Sequence, residues 1–227
     1  MSTQNAPANH PTAIIDSAHP RIVDFARSQT QGVRSSRERA VRLYFAVRDG
    51  IRYDPYAIDL SIDGLRASTT LAAGRGWCVA KAVLLTAACR ALGIPARVGF
   101  ADVKNHLSTR RLRALMKTDT FYWHGYSAIA LDHRWIKATP TFNIELCHRF
   151  HIRPLAFDGT TDAIFHPFDA QGHAHMEYLR YRGEFDDVPL QDIRDSFERH
   201  YGRLDVLSKA YFENDTAREV ADMPAKT

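Results

Sequence analysis

The sequence predicts an α+β domain built around one core. Three observations carry that expectation. Helix-compatible segments crowd the first half of the chain, strand-compatible runs follow them, and 227 residues with 45% hydrophobic side chains are enough for one sizeable core. Residues 1–14 are polar and read as a flexible tail, which leaves 15–227 as the single domain. A short helix follows Pro20, with Ile22, Val23, Phe25 and Ala26 on its apolar side. A longer one starts at Ser35, where Ser35 and Glu38 have capping-box spacing, and stops at Gly50. Ile51–Asp54 is extended, and the stretch from Pro55 to Gly76 reads as irregular. Cys78–Leu92 is the strongest helix, made of small and aliphatic residues and ended by Gly93. Pro95 turns the chain out into a strand over Ala96–Phe100. Tyr126–Leu131 and Trp135–Ala138 form a hairpin about Asp132-His133-Arg134. After Pro140 the chain reads as loop, rich in histidine and aromatics, until a last helix over Ser196–Phe212.

Composition narrows the function classes. A formal charge of +4 and a pI near 9.0 arise from 30 basic residues set against 26 acidic ones. The densest basic cluster is Arg110, Arg111, Arg113 and Lys117. It reads as the solvated face of a helix whose other side carries Leu112, Leu115 and Met116, so no nucleic-acid partner is expected. No apolar run is long enough for a membrane span or a signal peptide. Three cysteines make no disulfide framework, and a cytoplasmic address keeps them reduced. Cys147, His148 and His151, with His166, His173 and His175 further on, match no zinc spacing, and no metal is expected. Nor is a cofactor: there is no dinucleotide-binding glycine motif and no P-loop. Oligomeric state is left open.

The chemistry points to Cys78. It stands where glycines end and a helix begins. The free N–H groups and positive partial charge there favour a thiolate and can hold an oxyanion. The alternative is a small buried cysteine. Among eleven histidines, His124 is distinguished by context. It lies in Phe121-Tyr122-Trp123-His124-Gly125-Tyr126 at a strand entrance, among rings that keep water from its imidazole. Cys89, about three helical turns after Cys78, belongs to the core.

Two strings carry a resemblance: GWCVAKAVLLTAACRALGIPARVGF from Gly76, and YWHGYSAIALDHRWIKATPTFN from Tyr122. They resemble the cysteine-helix-strand block and the histidine-hairpin block of the transglutaminase-like superfamily. VDFARSQT through AVRLYFAVRDGIRYD resembles the helices that precede that cysteine, so the likeness covers about Ala18 to Asn143. It implies a papain-like core, with Cys78 heading a central helix packed on an antiparallel sheet that bears His124. It also implies thioester chemistry on a small-molecule or peptide acyl substrate, by hydrolysis or transfer. The family's aspartate before proline falls at Thr139, the first choice to orient His124, with Asn143 and Asp119 as alternatives. Trp77, Tyr122, Trp123, His106, Asn143 and His166 are the expected substrate-binding residues. Residues 101–120 are an expected lid, and 144–227 a family-specific extension in which Phe165-His166-Pro167-Phe168-Asp169 and His175-Met176-Glu177-Tyr178 either fold back over the cleft or pack as a surface loop. The alternative to an enzyme is a binding module that keeps the fold without the chemistry. The resting site is expected to hold a thiolate–imidazolium pair.

Overall fold

The computed structural model describes residues 8–105, 109–164, 176–202 and 212–221. Helices come first. α1 spans Pro20–Gln29, with proline in its first turn where its missing N–H costs nothing. α2 spans Ser36–Gly50, and its cap Ser35 accepts the Glu38 N–H at a long 3.5 Å. After β1 (Arg52–Tyr53) come α3 (Ile62–Leu65) and α4 (Ala67–Ala73), which ends on Gly74 in the left-handed region at φ 62°. β2 (Arg75–Gly76) pairs in parallel with β1 and delivers the chain to α5 (Cys78–Ala91). Every residue of α5 from Cys78 to Arg90 is buried. A helix without a polar stripe must be enclosed on all sides, and this one is central.

The sheet follows: β3 (Ala96–Asn105), α6 (Arg110–Met116), β4 (Thr120–Leu131), β5 (Arg134–Ala138), α7 (Ile144–Arg149), β6 (Met176–Phe185), α8 (Leu190–Tyr201) and α9 (Phe212–Ala221). Its order is β5-β4-β3-β6, antiparallel throughout. The β4–β5 hairpin turns at Asp132 and His133, both at positive φ, as a two-residue turn between twisted strands requires. α5 lies directly on β4. Thr86 donates to Ser127 Oγ at 3.1 Å, and Ser127 donates to the Ala82 carbonyl at 2.9 Å. A Cβ on Gly125 would sit 2.8 Å from Val79 Cα, so only glycine allows the start of α5 to meet β4 this closely. Lys81 is fully buried one turn into α5. Its Nζ donates to the Arg48 carbonyl at 2.9 Å and the Ile51 carbonyl at 2.5 Å, satisfying acceptors that the end of α2 would otherwise leave orphaned.

Several sequence expectations change. Part of the expected tail packs on the domain: the Ala96 N–H bonds the Ala8 carbonyl at 3.0 Å, and Ile14 enters the core beside Ile15. The irregular stretch 55–76 contains α3 and α4, whose small polar residues form helices through tertiary contact despite weak local propensity. β3 and β4 are longer than expected because each extends along the other toward Asn105 and Thr120. β6 was expected as loop; it is an edge strand held by pairing with β3, and half of its side chains are exposed with no clear period. Of the expected last helix, the first six residues belong to α8, which stops before Gly202 at φ 65°, and Phe212 opens α9; residues 203–211 lie outside the described residues. The expected lid 101–120 comprises the end of β3, α6 and the turn into β4. Arg110 and Arg111 of α6 pair with Glu219 and Asp215 of α9. Among the described residues no helix is long and apolar enough to cross a membrane, and no group of three or more side chains could hold a metal ion. His106, His166, His173 and His175 lie outside the described residues.

Candidate active site

Cys78 heads α5 after the uncapped Trp77. Burial pushes its thiol up to about 11, against the pull of three backbone N–H groups, those of Gly125, Val79 and Cys78 itself. Cys89 and Cys147 are buried too, and burial pushes them up to about 12 and about 11. Of these three thiols, Cys78 is the one that neighbouring backbone N–H groups pull back down against burial. Gly125, which supplies one of them, directly follows His124, so the start of α5 and the histidine's strand meet at this point.

His124 is 3% exposed, and burial brings its imidazole down to about 4. Both directions favour a neutral thiol beside a neutral imidazole. That direction runs against the expected thiolate–imidazolium pair, because burial penalises both charges. Nε2 of His124 has no hydrogen-bond partner among the described residues. The ring stands edge-on to Tyr178 of β6, with centroids 6.5 Å apart and planes at 89°. The Tyr178 hydroxyl donates to the Ile164 carbonyl at 2.5 Å. Tyr178, Tyr53 and Tyr201 are all held neutral, first by burial, and a Cys78 thiolate would raise each of them further.

Thr139 follows β5 and is buried, its N–H bonded to the Ala163 carbonyl at 2.9 Å. Its Oγ1 has no well-formed hydrogen bond among the described residues. It comes near enough to the Tyr178 hydroxyl to lower that group's pKa, but the hydroxyl proton goes to Ile164. Thr139 therefore adjoins the site without bonding the imidazole. Asn143 is committed elsewhere: Oδ1 accepts the Tyr53 N–H at 3.1 Å and Nδ2 donates to Glu145 at 2.7 Å. Asp119 pairs with Lys104 at 3.2 Å on the surface.

An apolar slot of about 30 Å³ opens on Cys78. Tyr53, Trp77, Phe121 and Tyr122 line it, with Leu112 and Met116 of α6 and Phe197 and Tyr201 of α8. Trp77 and Tyr122, expected at the substrate, do line it. Trp123 does not; it is buried behind β4 with its ring under the Arg182 guanidinium. It also holds φ 60°, a strain on the order of 1–3 kcal/mol for a bulky side chain. Tyr53, Phe197 and Tyr201 carry no local signal, since they reach Cys78 only through long-range packing.

A family model for the transglutaminase-like superfamily matches residues 23–140. That span is more than half of the chain and holds Cys78, His124 and Thr139. The chain belongs to the transglutaminase-like superfamily. Its mixed helices and antiparallel sheet have the build of that superfamily. Two solved structures are similar: a presumed cysteine protease from Cytophaga hutchinsonii (18% identity, TM-score 0.47, covering 79% of this chain and 52% of that one) and a presumed protease from Parabacteroides distasonis ATCC 8503 (16%, 0.37, 58% and 26%). The chain thus spans about half the length of the first and a quarter of the second. No curated protein matches it. In this transglutaminase-like chain β6, α8 and α9 lie beyond the matched region, yet β6 and α8 supply Tyr178, Phe197 and Tyr201 to the site.

Proposed function

We propose that this transglutaminase-like protein is a cysteine hydrolase or acyltransferase working through a thioester on Cys78. The observation that carries this is the close meeting of the α5 start with β4: a Cβ on Gly125 would lie 2.8 Å from Val79 Cα, which brings the residue after Cys78 against the residue after His124, a buried histidine whose Nε2 has no partner among the described residues. His124 takes the thiol proton as the sulfur attacks an acyl carbon. The N–H donors around Cys78 hold the developing oxyanion. The tetrahedral adduct then collapses: the bond to the leaving group breaks, and that group departs with the proton from His124. Water or an amine, deprotonated in turn by His124, releases the acyl group and restores the thiol. A neutral resting pair suits a closed site, since charge separates only as the reaction begins. The carbon-lined slot favours uncharged acyl groups on a small molecule or peptide. No metal or other cofactor enters these steps, and the setting proposed is cytoplasmic.

The competing proposal, a binding module without chemistry, draws on the uncharged Thr139 at the family's aspartate position. Incubation with p-nitrophenyl acetate followed by peptide mass spectrometry separates the two. An acetyl group on Cys78, absent in His124→Ala at neutral pH, supports the enzyme. An unmodified Cys78 with this ester and with a series of longer acyl and peptidyl esters would leave the binding module standing.

A further inference from the structure

β4 does not run regularly into His124. Ala101 stands opposite His124 and Val103 opposite Phe121, so Asp102 by itself faces both Tyr122 and Trp123. Such a bulge re-aims the side chains that follow it. Trp123, immediately before His124, sits at φ 60°, which a bulky residue adopts only where its surroundings impose it. Asp102 is the group placed to impose it. Its Oδ1 accepts the Trp123 N–H at 3.2 Å. Arg182 of β6 grips the same carboxylate through Nε to Oδ1 at 2.6 Å and Nη2 to Oδ2 at 2.9 Å. The Arg182 guanidinium also lies 4.6 Å over the Trp123 ring. Asp102 is 5% exposed, and a two-pronged buried pair of this kind fixes geometry as well as charge. On the outer edge of β4, Tyr201 of α8 accepts the Tyr122 N–H at 2.6 Å and donates to the Thr120 carbonyl at 3.1 Å. The backbone leading to His124 is thus held from both edges.

We propose that Asp102, clamped by Arg182, is a positioning residue for His124 and acts through the left-handed backbone of Trp123. This rests on His124 serving as the base for Cys78. Both oxygens of Asp102 are engaged by Trp123 and Arg182, so the carboxylate sets where the imidazole stands without touching it. An ion pair that merely tied β3 to β6 would duplicate strands already paired and would not need the Trp123 N–H. In this superfamily core, Arg182 then gives the segment beyond the matched region a hold on the histidine.

The test is the rate at which iodoacetamide alkylates Cys78, followed by peptide mass spectrometry, in wild type, His124→Ala, Asp102→Asn, Asp102→Val and Arg182→Met. The groups facing Cys78 from other elements are Tyr53, Tyr178 and Tyr201, all neutral through the neutral range. At neutral pH the thiol depends on its base; at strongly alkaline pH hydroxide removes the proton instead. Asp102→Val and Arg182→Met should lower the neutral rate roughly tenfold to a hundredfold, toward that of His124→Ala, as misplaced catalytic groups do. Asp102→Asn keeps an acceptor for the Trp123 N–H and should retain more than Asp102→Val. All should match wild type in alkali. Wild-type rates at neutral pH in both Asp102→Val and Arg182→Met overturn the proposal, and so does a change of equal size at both pH values, the mark of general loosening. Should Asp102→Val fail to fold, Arg182→Met at the partly exposed sheet edge decides. If His124→Ala itself leaves the neutral rate unchanged, the base assignment fails and the positioning role with it.

Discussion

At Cys78 two effects oppose each other, and burial wins. Three backbone donors pull the thiol down, yet it stands at about 11 while His124 stands at about 4. The imidazole is a neutral acceptor once pH passes about 4, and the thiol ionises by itself only near 11. Alkylation of Cys78 should therefore rise as His124 loses its proton, stay flat through neutrality, and rise again near pH 11. In His124→Ala only the alkaline rise should remain. A single inflection at an ordinary thiol value near 8.5, the same in both proteins, would mean that the two groups do not act together. Cys78 should also label before Cys89 and Cys147, which are fully buried; peptide mapping after limited labelling reads the order. For Thr139 the expected loss is small. Its hydroxyl makes no hydrogen bond to the imidazole, so Thr139→Ala should reduce turnover far less than His124→Ala, which removes a factor on the order of 10²–10⁴. Equal losses in the two variants would place Thr139 in the chemistry.

Between elements, the contact of α5 with β4 depends on one missing methyl group. A Cβ on Gly125 would meet Val79 Cα at 2.8 Å and Val79 N at 3.2 Å, and both belong to a helix packed on all sides that has nowhere to retreat. Gly125→Ala should destabilise the fold by about 1–3 kcal/mol, as overpacking does. It should also slow acylation of Cys78, since the Gly125 N–H would leave the sulfur. Thermal melting and acylation rates measured together check both halves; unchanged values for both would show that the strand and helix can separate freely. The same contact shows what local pattern can and cannot reveal. The glycine next to His124 stands plainly in the sequence, but its need to be glycine arises from Val79, which only the packed structure brings to it.

Across the whole molecule, the segment beyond the matched superfamily core is part of the core's architecture. Tyr44 of α2 donates to the Leu155 carbonyl at 2.8 Å, Arg90 of α5 to the Asp186 carbonyl at 2.8 Å, and β6 covers the outer edge of β3. A chain cut after Pro140 should lose cooperative melting and fail to acylate. A folded, active fragment would show that the later elements are only decoration. Lys81 gives the molecule a pH dependence of its own. Burial lowers its ammonium from 10.5 to about 7, partly opposed by Asp49. Between those values the unfolded chain holds a proton that the folded chain has released, so stability rises with pH across that window. Below pH 7 both states hold it and the contribution is level. Lys81→Met should flatten the rise in denaturation experiments from pH 7 to 10, and a slope equal to wild type would mean that Lys81 stays charged.

By itself the sequence determined what short-range physics decides. The Ser35 cap, the helix-forming run from Cys78 to Ala91, the hairpin around Asp132 and His133, and the cysteine and histidine blocks each depend on residues within a turn or a strand of one another. Only the tertiary structure decided the rest. β6 exists as a strand because β3 offers it an edge, and Asp102 meets Arg182 across 80 residues. Tyr201 reaches Tyr122 across 79. The direction in which burial pushes Cys78 and His124 runs against the local expectation because desolvation belongs to an enclosed volume, which no stretch of sequence contains.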